Sequence, residues 1–362
     1  MSADNTGADH QVLRDRLWEA VIDRDEYAAA SLVKAALDAG MAPEDVLLDV
    51  IGRVQQKIGS EWAANRITVA QEHAATAIND RVIAALAYHP RSTLEATRGR
   101  VTVACVDGEW HALPARLLAE VLRLRGWQVD FLGAQVPTPH LIAHLHLQRH
   151  EAVALSCMIP TRLPTAHAAI TACQAAGVPV LAGGAAFGVD GRYALQLGAD
   201  AWAPDARAAA ERLDEGFPPT RPADAHRPLD DLPHLADQEY TMVTRSAPQL
   251  IKATVAELEN RFPAMRSYTE QQRQHTTEDI GHIVDFLGAA LYTDDDELFT
   301  GFIAWTAEVL AARGVPASSL DPALDLLASQ LKDFPRSRRM LQAAHGVLPA
   351  DIRSAPDPAA HA

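Results

Sequence analysis

The sequence predicts an α/β plus all-α protein: a four-helix bundle, then a doubly wound parallel sheet, then a second helical block. Three observations carry this. Apolar residues recur at three- and four-residue spacing up to about Leu86. From about 100 to 216, short continuous apolar runs alternate with helical patterns, as in a parallel sheet covered on both faces. Helical periodicity then returns after a segment holding Pro218, Pro219, Pro222, Pro228 and Pro233. A length of 362 residues suits two or three domains of about 100–200 residues each.

The first block, 8–90, reads as four helices with short connections, hence an antiparallel bundle. Leu13, Leu17 and Val21 mark the first and Leu32 and Ala36 the second. Val46, Leu47, Val50, Ile51, Val54 and Ile58 mark the third, with Pro43 in its first turn. Thr68 and Gln71 form a capping box that opens the fourth. His89–Gly99 reads as a linker.

The second block, 100–216, offers strands at Val101–Val106, Gln128–Leu132, Ala152–Ser156, Pro179–Ala182 and Asp200–Ala203. Helical patterns lie between them at Leu113–Arg125, Pro139–Arg149, Thr165–Ala176 and Arg192–Leu197. Such folds bind ligands outside the carboxyl ends of their strands. The proline-rich stretch 217–234 reads as a semi-extended linker. The third block, 235–346, shows helical runs at Leu250–Phe262, Ile280–Tyr292, Leu298–Leu310 and Leu320–Leu331. Thr277-Glu278-Asp279 is expected to start a helix, Gly314 with Pro316 to stop one, and Asp321 with Pro322 to start the next. The Ala/Pro-rich end, 347–362, is expected to be disordered.

Composition narrows the function. The formal net charge is −15, which argues against a nucleic-acid surface as the main business. No apolar window is long enough to span a membrane, and the polar N-terminus is neither a secretory signal nor a transit peptide. Three cysteines without metal spacing point to a reduced, cytoplasmic protein.

The residues richest in chemistry follow the first strand: Asp107-Gly108-Glu109-Trp110-His111. A histidine in the first strand-to-helix loop sits where a doubly wound sheet holds its ligand. Glu109 can accept a hydrogen bond from one ring nitrogen of His111, fixing the tautomer and raising the basicity of the other nitrogen. That pair suits axial ligation of a metal carried by a cofactor, though a loop histidine beside a carboxylate is also common in ordinary surfaces. Strand three ends in Ser156-Cys157-Met158 and strand four in Gly183-Gly184. Glycines there let a ligand pass close to the backbone.

Together these loops resemble the corrinoid-binding fold of cobalamin-dependent proteins, which carries Asp-x-His-x-x-Gly, Ser-x-Leu and Gly-Gly at the same three places. The resemblance implies base-off, His-on binding, with His111 the lower cobalt ligand and Glu109 in place of the family's Asp. It also implies that Trp110, Ser156, Gly183 and Gly184 line the cofactor. Pro114 and Met158 depart from the family's Gly and Leu, and Pro114 puts the loop's course in question.

Ahead of that domain, Glu61-Trp62, Ile67, Val69, Glu72 and His73 resemble the cap bundle of light-sensing adenosylcobalamin proteins, such as the carotenoid-gene repressors. The resemblance implies that Trp62 is a lid, Val69 a wall, and Glu72 and His73 polar contacts to an adenosyl group. Read alone, Trp62 equally suits bundle core and Glu72-His73 a solvated face. Ala63 stands where the repressors have a cobalt-binding His, so an illuminated state must use water or another side chain. No helix-turn-helix or winged basic region is apparent, so DNA is not an expected partner.

In the third block, His282 and Asp285 share a helix face. They suit pyrrole nitrogens or lactam oxygens, while Arg266 and Arg273 suit carboxylates. The same residues also fit ordinary surface charge around an aromatic core. The three-block order, with the run His282–Trp305, resembles the photocobilins, whose C-terminal domain is globin- or phycobilin-like. That resemblance implies biliverdin, held noncovalently because no Cys follows Cys173.

The expectation is a cytoplasmic, non-enzymatic photoreceptor binding adenosylcobalamin and biliverdin. Its light-driven cobalt–carbon cleavage would change the oligomer or contact with a separate enzyme or signalling partner. The rivals are a corrinoid shuttle for methyl transfer and a single-chromophore cobalamin sensor with a C-terminal interaction domain. A mutase is weakest, since no substrate barrel is apparent.

Overall fold

The computed structural model describes residues 3–93, 95–217, 232–261 and 263–348. They fall into two compact units, Met1–Pro228 and Leu229–Ala362. Pro218, Pro219, Pro222 and Pro228 of the expected linker, and the expected disordered tail from Pro349, lie outside the described residues.

The first unit begins with a four-rod bundle: α1 (Ala3–Ile22), α2 (Glu26–Asp38), a composite third rod, and α5 (Val69–Ala87). The expected single third helix is instead α3 (Pro43–Asp45), a π-helical turn (Val46–Ile51) and α4 (Gly52–Ala63). The Gly52 N–H reaches back five residues to the Leu47 carbonyl. The capping box at Thr68 is present in both directions, with Gln71 N–H donating to the Thr68 hydroxyl oxygen at 3.2 Å. Leu17, Val21, Leu37, Leu47, Ile51, Ile58 and Ile83 are fully buried between the rods. Burying each such side chain stabilises by about 1.5–3 kcal/mol.

Next come β1 (Arg100–Cys105), α6 (Leu113–Leu124), β2 (Gln128–Gly133), α7 (Thr138–Leu145) and β3 (Ala152–Ser156). They are followed by α8 (Leu163–Ala175), β4 (Val180–Gly183), α9 (Arg192–Gln196), β5 (Ala201–Ala203) and α10 (Ala206–Glu215). All strands pair in parallel, in the order β2-β1-β3-β4-β5. The order reverses between β1 and β3, the switch point at whose carboxyl ends such sheets bind ligands. The helix α10 was not anticipated. It is short and rich in Ala and Arg, and Asp205 caps it by accepting the Ala208 N–H at 2.9 Å.

One apolar core runs from the bundle into the sheet, joining Ile51 and Val54 to Leu117, Val103 and Ala154. Ion pairs rim that junction. Arg125 on α6 meets Glu44 at 2.8 Å. Arg207 on α10 meets Glu44 at 3.3 Å, Asp45 at 3.0 Å and Asp49 at 2.7 Å. The Arg207 hydrogen bond holds the Asp49 carboxyl below the usual carboxylate range.

The second unit is helical: α11 (Glu239–Arg261), α12 (Glu270–Thr293), α13 (Asp296–Ala312), α14 (Leu320–Gln330) and α15 (Pro335–Val347). Two expectations need correction. Thr277-Glu278-Asp279 does not start a helix; it lies inside α12, which begins at a Thr269–Gln272 capping box, and the Thr277 hydroxyl bonds the Arg273 carbonyl. A fifth helix, α15, follows the four expected. It is polar, and its first turn is held by Glu239, whose carboxylate accepts the N–H groups of Arg336 and Ser337 at 2.9 and 2.8 Å.

Candidate cofactor site

After β1, Asp107 and Gly108 make a tight turn, with Gly108 at φ +77°. The chain then sinks, so that Glu109 is fully buried while Trp110 and His111 face outward. Glu109 Oε1 accepts the His111 ring Nδ1 at 2.7 Å and the His111 backbone N–H at 2.9 Å. Glu109 Oε2 accepts the backbone N–H groups of Met158 and Ile159, in the loop after β3, at 2.7 and 3.0 Å. Burial pushes the Glu109 pKa up, but the hydrogen bonds from the His111 ring and from the backbones of His111 and Met158 outweigh it and bring it down to about 2.

An ionised carboxylate only accepts hydrogen bonds, so Nδ1 carries a ring proton and Nε2 is the nitrogen left to bind a metal. The His111 side chain is 43% exposed and its ring leans against Trp110, centroids 4.6 Å apart. A neutral imidazole with its tautomer fixed by a buried carboxylate and its other nitrogen outward is the form a metal needs.

The glycines at the end of β4 differ in what surrounds them. Gly184 sits at φ +105°, and a Cβ there would lie 2.2 Å from the Cys157 carbonyl oxygen, so only glycine fits. A Cβ on Gly183 would make an ordinary 3.6 Å contact, so this glycine is not imposed by its protein neighbours. Ser156 is buried at the end of β3. The Arg162 guanidinium lies over Gly108 and adds a cation beside the β1 loop. Burial and the nearby Glu109 charge push the Cys105 thiol up to about 12; burial alone does the same for Cys173, and both remain thiols.

The cap residues occupy the end of α4 and the start of α5. Trp62 is half-buried and packs against the bundle core. Val69 is exposed, as is His73, whose Nδ1 donates to Glu72. Glu72 also accepts the Thr76 hydroxyl at 2.9 Å. Thr76 in turn accepts Gln55 Nε2 at 2.7 Å, and Gln55 accepts Asn79 Nδ2 at 2.9 Å. Asn79 is fully buried, so a polar chain runs from the exposed His73 into the bundle interior.

The residues expected in the second unit do not gather at one point. Arg273 is engaged by protein groups, pairing with Glu259 at 2.9 Å and donating to the Arg266 carbonyl at 3.1 Å. Arg266 is exposed on the turn before α12. His282 and Asp285 are exposed further along α12, nine and twelve residues beyond Arg273, or about 14 and 18 Å at 1.5 Å per residue. Phe286 and Phe302 stack at 3.7 Å and 6°, with the half-exposed Trp305 beside them.

The sequence reading missed the Met158 and Ile159 backbone donors, Arg162 and Gln55. Backbone N–H groups have no residue signature, and Gln55 is marked only by its place, half-buried on the helix that carries Trp62.

Comparison with known proteins covers the first unit. Two family models, both described as a B12 binding domain, match residues 99–213 and 13–87. The trimethylamine corrinoid protein of Methanosarcina barkeri is 22% identical over 201 residues, spanning 54% of this chain and 92% of that protein. Trimethylamine corrinoid protein 1 of Methanosarcina acetivorans is 23% identical over 147 residues, spanning 40% of this chain and 68% of that protein. Among solved structures, the monomethylamine corrinoid protein of M. barkeri superposes with a TM-score of 0.50 at 22% identity, covering 57% of this chain and 98% of that one.

Proposed function

We propose that this cobalamin-binding chain is a light sensor that carries adenosylcobalamin, with His111 Nε2 as lower axial ligand and the bundle as a cap on the upper face. The buried Glu109 clamp supports the lower half: it gives His111 the tautomer that a cobalt ion requires. The cap constellation carries the upper half. Trp62 offers a large flat surface, Val69 an exposed apolar wall, and Glu72 with His73 a bonded polar pair. Bound adenosylcobalamin supplies a cobalt–carbon bond that green or blue light breaks. The chain Glu72–Thr76–Gln55–Asn79 links a change at His73 to the bundle interior, which makes the cap a two-state element biased by a ligand. The chain itself is then a sensor rather than an enzyme, and its output is a change of oligomer or of contact with a separate partner.

Noncovalent biliverdin in the second unit extends this reading. The stacked Phe286 and Phe302 beside Trp305 support a flat aromatic ligand, and all three cysteines, Cys105, Cys157 and Cys173, are buried in the first unit.

The comparisons favour another use of the same cofactor. The similar proteins are named as methylamine corrinoid proteins, and those names support a methyl-transfer shuttle better than they support light sensing. A shuttle works with separate enzymes and exposes cobalt to donor and acceptor. One comparison separates the two. Protein reconstituted with adenosylcobalamin, with and without biliverdin, is followed by absorption spectrum and gel filtration in the dark and after green light. Light-dependent loss of the alkyl-cobalt spectrum with a change in elution, faster in Trp62→Ala, supports the sensor. Unchanged elution after illumination, with methyl transfer to and from the reduced protein, establishes the shuttle instead.

A further inference from the structure

At the amino-terminal end of the sheet, away from the His111 loop, Asp130 on β2, His144 on α7 and His150 before β3 converge. One ligand atom from each lies within 4.8 Å of the others. We infer that these three residues form a binding site for a divalent transition-metal ion of the zinc type.

The arrangement has the features of a built site. His150 is 7% exposed, and its Nε2 is buried without a hydrogen-bond partner among the described residues. A buried imidazole nitrogen left unpaired is costly unless something else satisfies it. Its other nitrogen, Nδ1, lies 3.0 Å from the hydroxyl of Thr102, which is fully buried. With Nδ1–H donating to that hydroxyl, Nε2 keeps its lone pair, the same division of labour that metal-binding histidines use.

The carboxylate is prepared in the same manner. Arg100 holds Asp130 Oδ1 at 2.5 Å, leaving Oδ2 for the cluster, where it already meets His144 Nε2 at 3.1 Å. Two imidazoles and one carboxylate oxygen are a common donor set for zinc, with water completing a tetrahedron. Ligand atoms in such a tetrahedron stand about 3.4 Å apart, given bonds of about 2.0–2.1 Å. Asp130 Oδ2 and His144 Nε2 already stand near that spacing, at 3.1 Å, with His144 partly exposed on α7. The ion ties β2, α7 and the entry to β3 together.

The test is a zinc titration of full-length, cobalamin-free, untagged protein against a chromophoric chelator. The expected result is one equivalent bound, with a raised thermal midpoint. Binding persists in His111→Ala, drops at least 100-fold in His144→Ala and in Asp130→Asn, and drops about 10-fold or more in Thr102→Val, which removes only the support of His150. Asp130→Asn keeps the side-chain shape and decides the matter if His144→Ala fails to fold. The site is overturned if wild type takes up no zinc, if the equivalent survives these substitutions, or if it is lost in His111→Ala.

Discussion

Glu109 and Glu239 are both buried carboxylates that collect backbone N–H groups, one in each unit, and they differ in what else they hold. Glu239 accepts the N–H groups of Arg336 and Ser337 and the Ser337 hydroxyl, and all of its partners start one helix. Glu109 accepts three backbone N–H groups from two loops and then an imidazole whose far nitrogen faces out. The first arrangement is closed and serves the fold. The second spends the same kind of anchoring on a group that is left unfinished, and an unfinished group is where a ligand goes. Carboxylate burial alone therefore does not mark a functional residue; the outward valence beyond it does.

Three experiments sharpen or break that contrast. His111→Ala has the largest expected effect: bound cobalamin loses its imidazole-ligated absorption spectrum altogether, while the cofactor-free protein keeps its thermal midpoint to within a few degrees. An unchanged spectrum would move the axial ligand elsewhere and reduce Glu109 to a loop clasp.

Acid comes next. The folded pKa of Glu109 lies at about 2 against an ordinary 4.5, so its carboxylate form stabilises the fold. That contribution is present in full above about pH 4.5 and disappears as pH falls through about 2. It amounts to roughly 3 kcal/mol at 1.36 kcal/mol per unit. The difference in unfolding free energy between wild type and Glu109→Gln, measured on cofactor-free protein, should shrink across that window. A difference that does not vary with pH would show that the clamp is held by shape rather than charge.

The smallest effect is expected at Glu239. Glu239→Gln keeps one acceptor oxygen and should cost about 1–2 kcal/mol of stability, since a charged hydrogen-bond acceptor becomes neutral. Cobalamin affinity should not change. A fall in affinity would mean that the two units are energetically coupled.

The sequence exposed some of this readily and hid the rest for definable reasons. Glu109 and His111 are two residues apart, so their pairing is local and readable. Met158 and Ile159 complete the clamp from about fifty residues away, through backbone atoms that any residue supplies. The five strands read well because each is a short, mostly apolar stretch between turn residues. The helices α10 and α15 did not, because their apolar stripes are short, Ala209, Ala210 and Leu213 in one and Met340, Leu341 and Ala344 in the other, and lie among charged and polar residues. The start of α12 was misplaced because acidic residues favour a first turn but are also tolerated mid-helix, whereas the Thr269–Gln272 box is the stronger boundary. In the second unit, matching residue types to a ligand's groups could not foresee that Arg273 would be satisfied by Glu259.

The π-helical turn at Val46–Ile51 gives the third rod an angular offset. A π turn accommodates one residue more than the α-helical repeat allows, and each α-helical residue rotates the chain by about 100°. Everything downstream is therefore phased about a quarter-turn away from where an unbroken helix would aim it, Trp62 included. Removing one residue from Val46–Ile51 would restore a regular helix with the same ends. It would also swing the indole off its bearing, so the aim of the cap is set by a count of residues some three turns upstream rather than by the tryptophan itself.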